Sequence, residues 1–478
     1  MPPPAFAKPD NPMLNQSQTP MNNNDIQADV VVVGGGLAGF ACALQAAQDG
    51  ADVILLEKLG EIGGSSAMSG GCLAFAGTDL QKAASIEDSS ELLYADLIEV
   101  GKHENDPALV RAYVDHQLET YDWLKQAGVE FSPVMETSSG QSVPRVHTVD
   151  PADTVRALAG RAKDTGKVRL LLNTSALRLI RDAHGTVVGV SAEREGNTFT
   201  ASGKHGVVLA SGGFCKNPEL VHRYAPQYDD AVFIGGEGNV GDGLKMALLI
   251  GADCRDMIYI KGTYGKHPTD ETNHHSLLAV YKGAIAVNQD GKRYVDESIS
   301  YKLLGDACIT QPYGATFQIF DHPIMQSGDN AVRILDIERR LEEGLVIQAD
   351  TIEALAEQIE VPAHVLIDTV NTYNGYVDAG HDPDFGRAHL VHQHGELVRI
   401  ETGPFYAYPS TAAVYGTYCG LCVDAAMHVL DVYGDVIPGL YAAGEMVGGL
   451  HGAAYMTGSA LGKAAIFGRI AARSATRI

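Results

Sequence analysis

The chain has 478 residues, more than a single hydrophobic core usually organises, so we expect two domains. Its formal net charge is −24 and no basic stripe stands out, which argues against nucleic acid as a partner. Apolar runs such as residues 30–33 are much too short to insert in a membrane. Seven scattered cysteines do not form a disulfide framework, so we expect a cytoplasmic protein.

The N-terminal part contains a tail followed by a βαβ unit. Residues 1–25 are rich in Pro and Asn and lack the pattern of a signal peptide, which predicts a disordered tail. A strand buried on both faces is predicted over 28–33, and a helix over 40–48 follows a run of glycines. A second buried strand over 52–56 ends at Glu57.

The rest of the chain divides into segments that differ in residue composition and in predicted secondary structure. Strands are predicted over 168–172, 176–180, 187–192 and 207–210. A hairpin turn at 182–185 joins the second of these strands to the third. A helix begins at Gly241-Asp242-Gly243 and ends at Ile250, with Gly251 as its C-cap. From residue 253, His, Tyr and charged residues become frequent, and helices are predicted over 352–358 and 363–376. We therefore interpret 253–403 as a domain inserted between the two parts of another, 26–252 and 404–478.

The glycines of the βαβ unit predict a dinucleotide site. Gly34, Gly36 and Gly39 have the G-x-G-x-x-G spacing, which allows a tight turn, close approach of the backbone to a pyrophosphate, and close packing of helix on strand. Glu57, about 20 positions later, offers a carboxylate to ribose hydroxyls. A Gly/Ser loop over 61–67 and the start of a helix at 457–461 favour FAD, because free helix N–H groups suit the flavin oxygens.

The predicted site holds FAD without a covalent bond. Its residues are Gly34, Gly36, Leu37, Ala38, Gly39, Glu57, Lys58, Gly63, Gly64, Ser65, Ser66, Ser69, Gly70, Gly71, Ala176, Ala210, Ser211, Gly212, Gly444, Glu445, Ser459, Ala460 and Leu461.

These motifs, in this order, resemble a known flavoprotein family. Together with 210–214, 241–243 and 439–445 they are similar to the flavoproteins grouped with soluble fumarate reductases and 3-ketosteroid dehydrogenases, from about residue 28 to the C-terminus. The resemblance implies an α/β fold with a Rossmann-like FAD-binding domain of the glutathione-reductase type. It also implies that 253–403 is an α+β capping domain, with the substrate between the two domains.

Three positions that act on the substrate in fumarate reductases are tyrosines in this chain. Tyr301 stands four residues after Glu297, where the family has a proton-donating arginine. Tyr455 replaces a carboxylate-binding arginine, and Tyr415 a carboxylate-binding histidine. Because tyrosine cannot balance the charge of a carboxylate as arginine does, we expect a carbonyl-bearing alicyclic substrate and not a small dicarboxylate.

Similarity to the ketosteroid dehydrogenases implies roles for these tyrosines. Tyr455, with the N–H of Gly458 or Ser459, would polarise the ketone. Tyr301 would remove the α-proton, and the β-hydrogen would leave as hydride to flavin N5. His451 is expected to line the substrate pocket.

The phenolate of a tyrosine base needs a stabilising neighbour, because its usual pKa is near 10. Lys261, Lys266, Lys302 or another tyrosine could supply it. A third active-site tyrosine is expected from the resemblance, and its candidates are Tyr94, Tyr113 and Tyr121.

We expect an enzyme, and three functions stay open. The first is an FAD-dependent dehydrogenase that introduces a C=C bond next to the ketone of a steroid or of a smaller cyclic ketone such as an oxocyclohexane carboxylate. The second is a fumarate-reductase-like flavoprotein that reduces an enoate. The third is a non-catalytic flavin-binding or electron-carrier protein. The electron acceptor (oxygen, quinone or a redox protein) leaves no motif.

Neither the cysteines nor the histidine pairs predict a metal site. His274-His275 and 392–394 lack further ligands at zinc-like spacing. Cys419 and Cys422 are expected on opposite faces of a strand, where they pack.

Overall fold

A computed structural model describes residues 25–229, 231–260, 262–269, 275–330, 332–391 and 394–476. The expected tail, apart from Asp25, therefore lies outside the described residues, as do Lys261, His274 and His392.

The strands, in chain order, are β1 (Ile26–Ala28), β2 (Val30–Val33), β3 (Val53–Leu56), β4 (Cys72–Ala74), β5 (Val146–Thr148), β6 (Val168–Leu171), β7 (Thr174–Arg181), β8 (Val187–Arg194), β9 (Asn197–Gly203), β10 (Val207–Leu209), β11 (Val232–Phe233), β12 (Cys254–Arg255), β13 (Thr263–Lys266), β14 (Ile285–Val287), β15 (Ala315–Asp321), β16 (Ile347–Ala349), β17 (Phe405–Val414), β18 (Gly420–Leu421), β19 (His428–Leu430) and β20 (Val436–Ala442).

The α-helices are α1 (Leu37–Gln48), α2 (Gly64–Ala67), α3 (Asp79–Ala83), α4 (Ser90–Val100), α5 (Pro107–Gln126), α6 (Pro151–Asp164), α7 (Pro218–Tyr224), α8 (Asp242–Leu248), α9 (Tyr301–Ile309), α10 (His322–Gln326), α11 (Ile337–Glu342), α12 (Ile352–Gln358), α13 (Ala363–Ala379) and α14 (Ser459–Thr476). Short 3-10 helices lie at Pro226–Tyr228, Ala279–Lys282, Pro312–Gly314 and Gly444–Met446.

A mainly parallel sheet carries the βαβ unit. Its strand order is β19-β20-β10-β2-β3-β6, and only β19 runs antiparallel to its neighbour. Every residue of β2 and β3 is buried, as expected for strands covered on both faces. The predicted strand over 28–33 is divided at Asp29, because β1 leaves to pair with β9 in a second sheet, β1-β9-β8-β7.

Two small-residue helices cover one part of this sheet. α1 packs against α14, and a Cβ on Gly468 would lie only 2.5 Å from Ala38 O. α1 begins at Leu37, three residues before its predicted start, because Gly36 already serves as its N-cap. Both helices are therefore buried along most of their length.

A separate hydrophobic cluster lies between residues 264 and 408. It is built on the sheet β11-β17-β15-β14, to which β13 and β16 add by pairing with β17. Helices α12 and α13 pack together beside it, within a turn of the predicted bounds. The larger cluster draws its residues from before residue 261 and after 413. The division at 26–252, 253–403 and 404–478 stays a prediction.

None of the helices in the described part of the chain is long and apolar enough to cross a membrane.

Candidate functional site

A cavity of about 350 Å³ begins where β2 and β3 end and reaches the second hydrophobic cluster at Tyr264 and Leu278. We call it the cleft. Of the residues predicted to hold FAD, those that line the cleft are Gly34, Gly36, Leu37, Ala38, Glu57, Lys58, Gly64, Ser65, Ser66, Ser69, Gly70, Ala176, Ala210, Ser211, Gly212, Glu445, Ala460 and Leu461.

The N-terminus of α1 opens on the cleft without a side-chain cap. The Leu37 N–H donates to Ser66 Oγ at 3.2 Å, and no acidic residue lies in the first turn, so the helix dipole favours a phosphate at this end. A Cβ on Gly36 would still find ordinary contact, 3.5 Å from Ser66 Oγ, whereas a Cβ on Gly34 would overlap Ala210 O. The backbone therefore approaches the cleft as closely as a pyrophosphate requires.

Glu57 closes the other side of the glycine turn. Its Oε2 accepts the Gly35 N–H at 2.7 Å, and its Oε1 accepts the Leu59 N–H at 2.8 Å. Each carboxylate oxygen keeps a second lone pair, which is what ribose hydroxyls require. With phosphate donors at α1 and a ribose acceptor at Glu57, the chemistry of this end of the cleft fits FAD.

Glu445 joins two loops that sequence reasoning treated separately. Its Oε1 accepts the Thr417 N–H at 2.7 Å, and its Oε2 accepts Asn239 Nδ2 at 2.9 Å. Asn239 also donates to Ser65 Oγ at 3.0 Å. Asn239, Thr417 and Gly416 line the cleft but were missed, because only their fold brings them to Glu445.

Six predicted site residues lie beside the cleft and do not line it: Gly39, Gly63, Gly71, Gly444, Gly458 and Ser459. The glycines among them sit at close backbone or side-chain approaches. A Cβ on Gly39 would overlap Gly34 O, and one on Gly444 would lie 2.6 Å from Ala38 Cβ. Ser459 donates its Oγ–H to Met456 O at 2.6 Å. These six residues therefore pack against the residues that line the cleft and do not face it themselves.

Tyr301 is held in place by the stretch that precedes it. Glu297 is fully buried and accepts Arg293 Nη2 at 2.7 Å and Arg387 Nη1 at 3.2 Å. Ser300 then caps α9, and its Oγ–H donates to Tyr455 O at 3.3 Å. This ionic network and cap bring the first residue of α9 to Tyr455.

Two of the three predicted catalytic tyrosines, Tyr301 and Tyr455, meet at the inner end of the cleft. The ring centroids of Tyr301 and Tyr455 are 6.1 Å apart, edge to face. The Gly458 N–H donates to Tyr455 Oη at 3.1 Å, and the Ser459 N–H donates to Met456 O at 3.1 Å. This differs from the expected ketone-binding pair, because both N–H groups already have acceptors within the chain.

A fourth tyrosine at the inner end of the cleft is Tyr418, which sequence reasoning missed. Its ring lies 5.0 Å from that of Tyr455, and it lines the cleft with Tyr415, whose Oη lies 3.1 Å from Ser276 Oγ. The expected candidates Tyr94, Tyr113 and Tyr121 do not line it. Tyr113, for example, donates its hydroxyl to Ala74 O at 2.8 Å. The signal was present, since Tyr418 stands three residues after Tyr415.

A buried lysine lies among these rings. Lys302 Nζ is 4.8 Å from the ring centroid of Tyr418, and 5.4 to 5.9 Å from those of Tyr301, Tyr455 and Tyr415. It donates to Thr263 Oγ1 and forms no ion pair with any described residue. Burial lowers the pKa of Lys302 to about 7, against a smaller opposing effect of Asp306 and Glu445. Of the two candidate lysines within the described residues, Lys266 and Lys302, it is Lys302 that faces the tyrosines.

The stability of the protein is expected to report the charge of Lys302. Below pH 7 the folded protein buries an ammonium group, a cost that Lys302→Met removes, so the variant should have the higher thermal midpoint. Between about pH 7 and 10.5 the folded chain has released this proton and the unfolded chain has not. The free energy of unfolding of the wild type then rises, relative to that of Lys302→Met, by up to about 1.4 kcal/mol per pH unit.

Thermal unfolding at pH 6, 8 and 9.5 measures this difference. Lys302→Arg keeps its charge throughout and serves as the control, since it should show no such pH dependence relative to Lys302→Met. A constant difference between wild type and Lys302→Met would mean that the lysine does not titrate in this range.

Two further side chains complete the inner end. His451 Nδ1 lies 3.3 Å from Ser459 Oγ, while its Nε2 is buried without a described partner. Burial, helped by Lys463 and Lys302, lowers the pKa of His451 well below its usual value, so the ring is neutral. Arg333 also lines the cleft, and no described residue forms a hydrogen bond or ion pair with it. With tyrosine at both positions where the family has arginine, Arg333 is the one arginine among the described residues that line the cleft.

Among the described residues, no three His, Cys, Asp or Glu side chains are grouped so as to hold a metal ion. Cys419 is buried, and the Cys422 thiol donates to Asp253 Oδ2 at 3.5 Å.

Comparison with known proteins identifies relatives over nearly the whole chain. Residues 29–461 match the model of a family described as FAD binding domain. The fumarate reductase (cytochrome) of Shewanella frigidimarina is 34% identical over 457 residues, which cover 94% of this chain and 77% of the relative. The urocanate reductase of Eggerthella lenta is 34% identical over 463 residues, covering 94% and 75%.

A solved structure extends the likeness to another reaction. The 3-ketosteroid Δ4-(5α)-dehydrogenase of Rhodococcus jostii, in complex with 4-androstene-3,17-dione, superposes with a TM-score of 0.79 at 26% identity. The match covers 95% of this chain and 98% of that one.

Proposed function

The chain belongs to the FAD-binding domain family and is an FAD-dependent oxidoreductase that acts on carbon–carbon bonds, and we propose that it reduces a C=C bond conjugated to a carbonyl group or an aromatic ring. Of the three functions expected from the sequence, this proposal favours the second, a flavoprotein that reduces an enoate, over the first. Membership of this family of FAD-dependent oxidoreductases argues against the third function, a flavin-binding protein without catalysis.

The observation that carries the proposal is the tyrosine pair at the inner end of the cleft, where Tyr455 Oη accepts the Gly458 N–H at 3.1 Å beside Tyr301. Burial raises the pKa of Tyr455 to about 12 and that of Tyr301 well above its usual value. Both hydroxyls are therefore protonated at neutral pH, as a proton donor for reduction must be. The relatives that are 34% identical to this chain are reductases, which favours the reductive direction.

Within the pair, Tyr455 is placed to give up its proton. The N–H groups of Gly458 and Ala460, at the start of α14, lower the pKa of Tyr455 against the larger effect of burial. Such donors at a helix N-terminus stabilise the phenolate that forms when the proton leaves. We therefore assign proton donation to Tyr455 and a supporting hydroxyl to Tyr301, the reverse of the roles that the ketosteroid resemblance implied.

The charges and rings of the inner end suggest the substrate class. Four tyrosine rings favour a flat cyclic or aromatic body. Arg333, and Lys302 below about pH 7, are cations of the cleft without carboxylate partners among the described residues, so they can hold one acidic or carbonyl oxygen of the substrate. When bound, FAD supplies the hydride equivalent that the other alkene carbon requires.

Desaturation of a cyclic ketone is the second candidate. It is supported by the tyrosine pair and by the likeness to the Rhodococcus dehydrogenase. In this direction Lys302 would have to stabilise a tyrosinate, and its pKa of about 7 leaves it largely uncharged above pH 8.

An anaerobic assay with reduced viologen as the electron source tests the proposal. The panel consists of cinnamate, cyclohex-2-enone, 4-androstene-3,17-dione and fumarate. We expect viologen oxidation with the cyclic or aryl-substituted alkenes and at least 10-fold lower kcat/KM with fumarate, because the cleft lacks the paired arginines for two carboxylates.

The reverse experiment mixes oxidised enzyme with the corresponding saturated ketones and follows flavin bleaching. Bleaching by saturated ketones, with no alkene accepted by the reduced enzyme, would replace the reductase proposal by the desaturase. Fumarate as the best substrate would overturn the substrate class.

A further inference from the structure

One arginine lines the cleft apart from its tyrosine rings. Arg333 is half-buried, and no described residue forms a hydrogen bond or an ion pair with its side chain. Among the described cations, it is Lys302 and not Arg333 that lies over the four tyrosine rings of the inner end. Arg333 is therefore a separate charged feature of the same cleft.

Backbone hydrogen bonds fix the loop that carries Arg333. The Asp329 N–H donates to Leu335 O at 2.9 Å, which closes the loop on itself. The Leu278 N–H donates to Ile334 O at 2.8 Å, and both of these residues line the cleft. The backbone thus holds Arg333 at the wall of the cleft without help from a side-chain partner.

The segment on which this loop rests also reaches the inner end. Ser276 lies two residues before Leu278, and its Oγ is 3.1 Å from Tyr415 Oη. Ser276 lines the cleft as well. Because two residues of chain span at most about 7 Å, the loop and the tyrosine rings border one ligand-sized space.

The inner end offers hydrogen bonds but little charge. Burial raises the pKa of Tyr301 and of Tyr455, and it lowers the pKa of His451, so all three side chains are neutral. The pKa of Lys302, lowered to about 7, leaves this lysine largely uncharged at pH 8. Neutral donors suit an uncharged carbonyl oxygen, whereas a carboxylate in the same place would lose its hydration without gaining a counter-charge. A charged group of the substrate is better placed at Arg333.

We propose that Arg333 determines specificity for cyclic enones that carry a carboxylate not conjugated with the reacting C=C bond, an inference that rests on the proposed reductase function. The conjugated carbonyl of such a substrate lies among the hydroxyls of the inner end. The guanidinium of Arg333 binds the separate acid group through two parallel N–H donors, a geometry that lysine does not offer.

Three substrates with one ring in common test this role in the FAD-loaded enzyme at pH 8: 4-oxocyclohex-2-ene-1-carboxylate, its methyl ester and cyclohex-2-enone. The pre-reduced wild type should reduce the acid with a kcat/KM about 10- to 100-fold above those of the ester and of cyclohex-2-enone, the usual contribution of a hydrogen-bonded charge pair. Arg333→Gln should lose this preference through a higher KM for the acid. Its kcat/KM for the ester and its FAD content should stay at wild-type values. Arg333→Lys should keep part of the preference, because it keeps the charge.

Arg339→Gln is the matched control. Arg339 lies six residues further along the chain, does not line the cleft, and donates its Nε–H to Glu343 Oε1 at 3.0 Å. This variant removes the same charge from the protein and should keep the preference for the acid.

Equal kcat/KM for acid and ester in the wild type, or an unchanged preference in Arg333→Gln, would overturn the inference. So would a loss of FAD from Arg333→Gln, since the arginine would then serve the cofactor. If cinnamate reoxidises the reduced wild type and none of the three enones does, the assignment to cyclic enones is wrong. If no alkene reoxidises it, it is the reductase function that fails.

Discussion

Replacing Tyr455 with Phe is expected to lower the rate of alkene reduction by about 10²- to 10⁴-fold, the usual contribution of a positioned general acid. The variant keeps the ring that packs against Tyr301 and Tyr418 at 6.1 and 5.0 Å, and loses only the hydroxyl that the Gly458 N–H contacts. FAD binding should therefore persist. Single-turnover oxidation of the pre-reduced enzyme by cinnamate or cyclohex-2-enone measures the effect.

Two other variants separate proton donation from packing. Tyr301→Phe keeps the proposed proton donor and should be slowed less than Tyr455→Phe, because Tyr455 can still give its proton to the substrate. Tyr373→Phe is the matched control: it removes a buried hydroxyl that donates to Val398 O at 3.1 Å in the second hydrophobic cluster, outside the cleft. Equal rates for Tyr455→Phe and Tyr373→Phe would contradict the assignment of Tyr455.

The FAD end of the cleft was largely predictable because its residues are neighbours in sequence or follow a local rule. Gly34, Gly36 and Glu57 lie at the ends of adjacent buried strands, and a strand–turn–helix unit brings them together whatever the rest of the chain does. Asn239 and Thr417 belong to the same surface but come from distant loops. Only their hydrogen bonds to Glu445, formed in the folded chain, place them there.

The inner end was predictable in its residues but less so in their roles. Registration with a family motif singled out Tyr301, Tyr415 and Tyr455, and all three line the cleft. The assignment of the acid that we propose rests on the Gly458 N–H, which donates to Tyr455 Oη where Gly458 adopts a φ of 90°. Lys302 could not be distinguished from the other lysines by sequence, since its low pKa comes from burial among side chains of three separate segments.

Removal of the Arg145 side chain is expected to have the largest effect on stability, about 3–5 kcal/mol, because it strands two carboxylates in the interior. Arg145 and Asp88 are fully buried and form a two-point pair at 2.8 and 2.7 Å, and Asp96 accepts a further bond at 2.5 Å. Arg145→Ala leaves these acids without their cation. The chain's single tryptophan, Trp123, lies in the larger hydrophobic cluster, so its fluorescence during urea unfolding reports the loss.

Arg156→Ala supplies the matched control. Arg156 also pairs with an aspartate, Asp153, but both side chains are more than 60% exposed, and such pairs contribute about 0–1 kcal/mol. Similar unfolding midpoints for Arg145→Ala and Arg156→Ala would show that the buried network does not stabilise the fold.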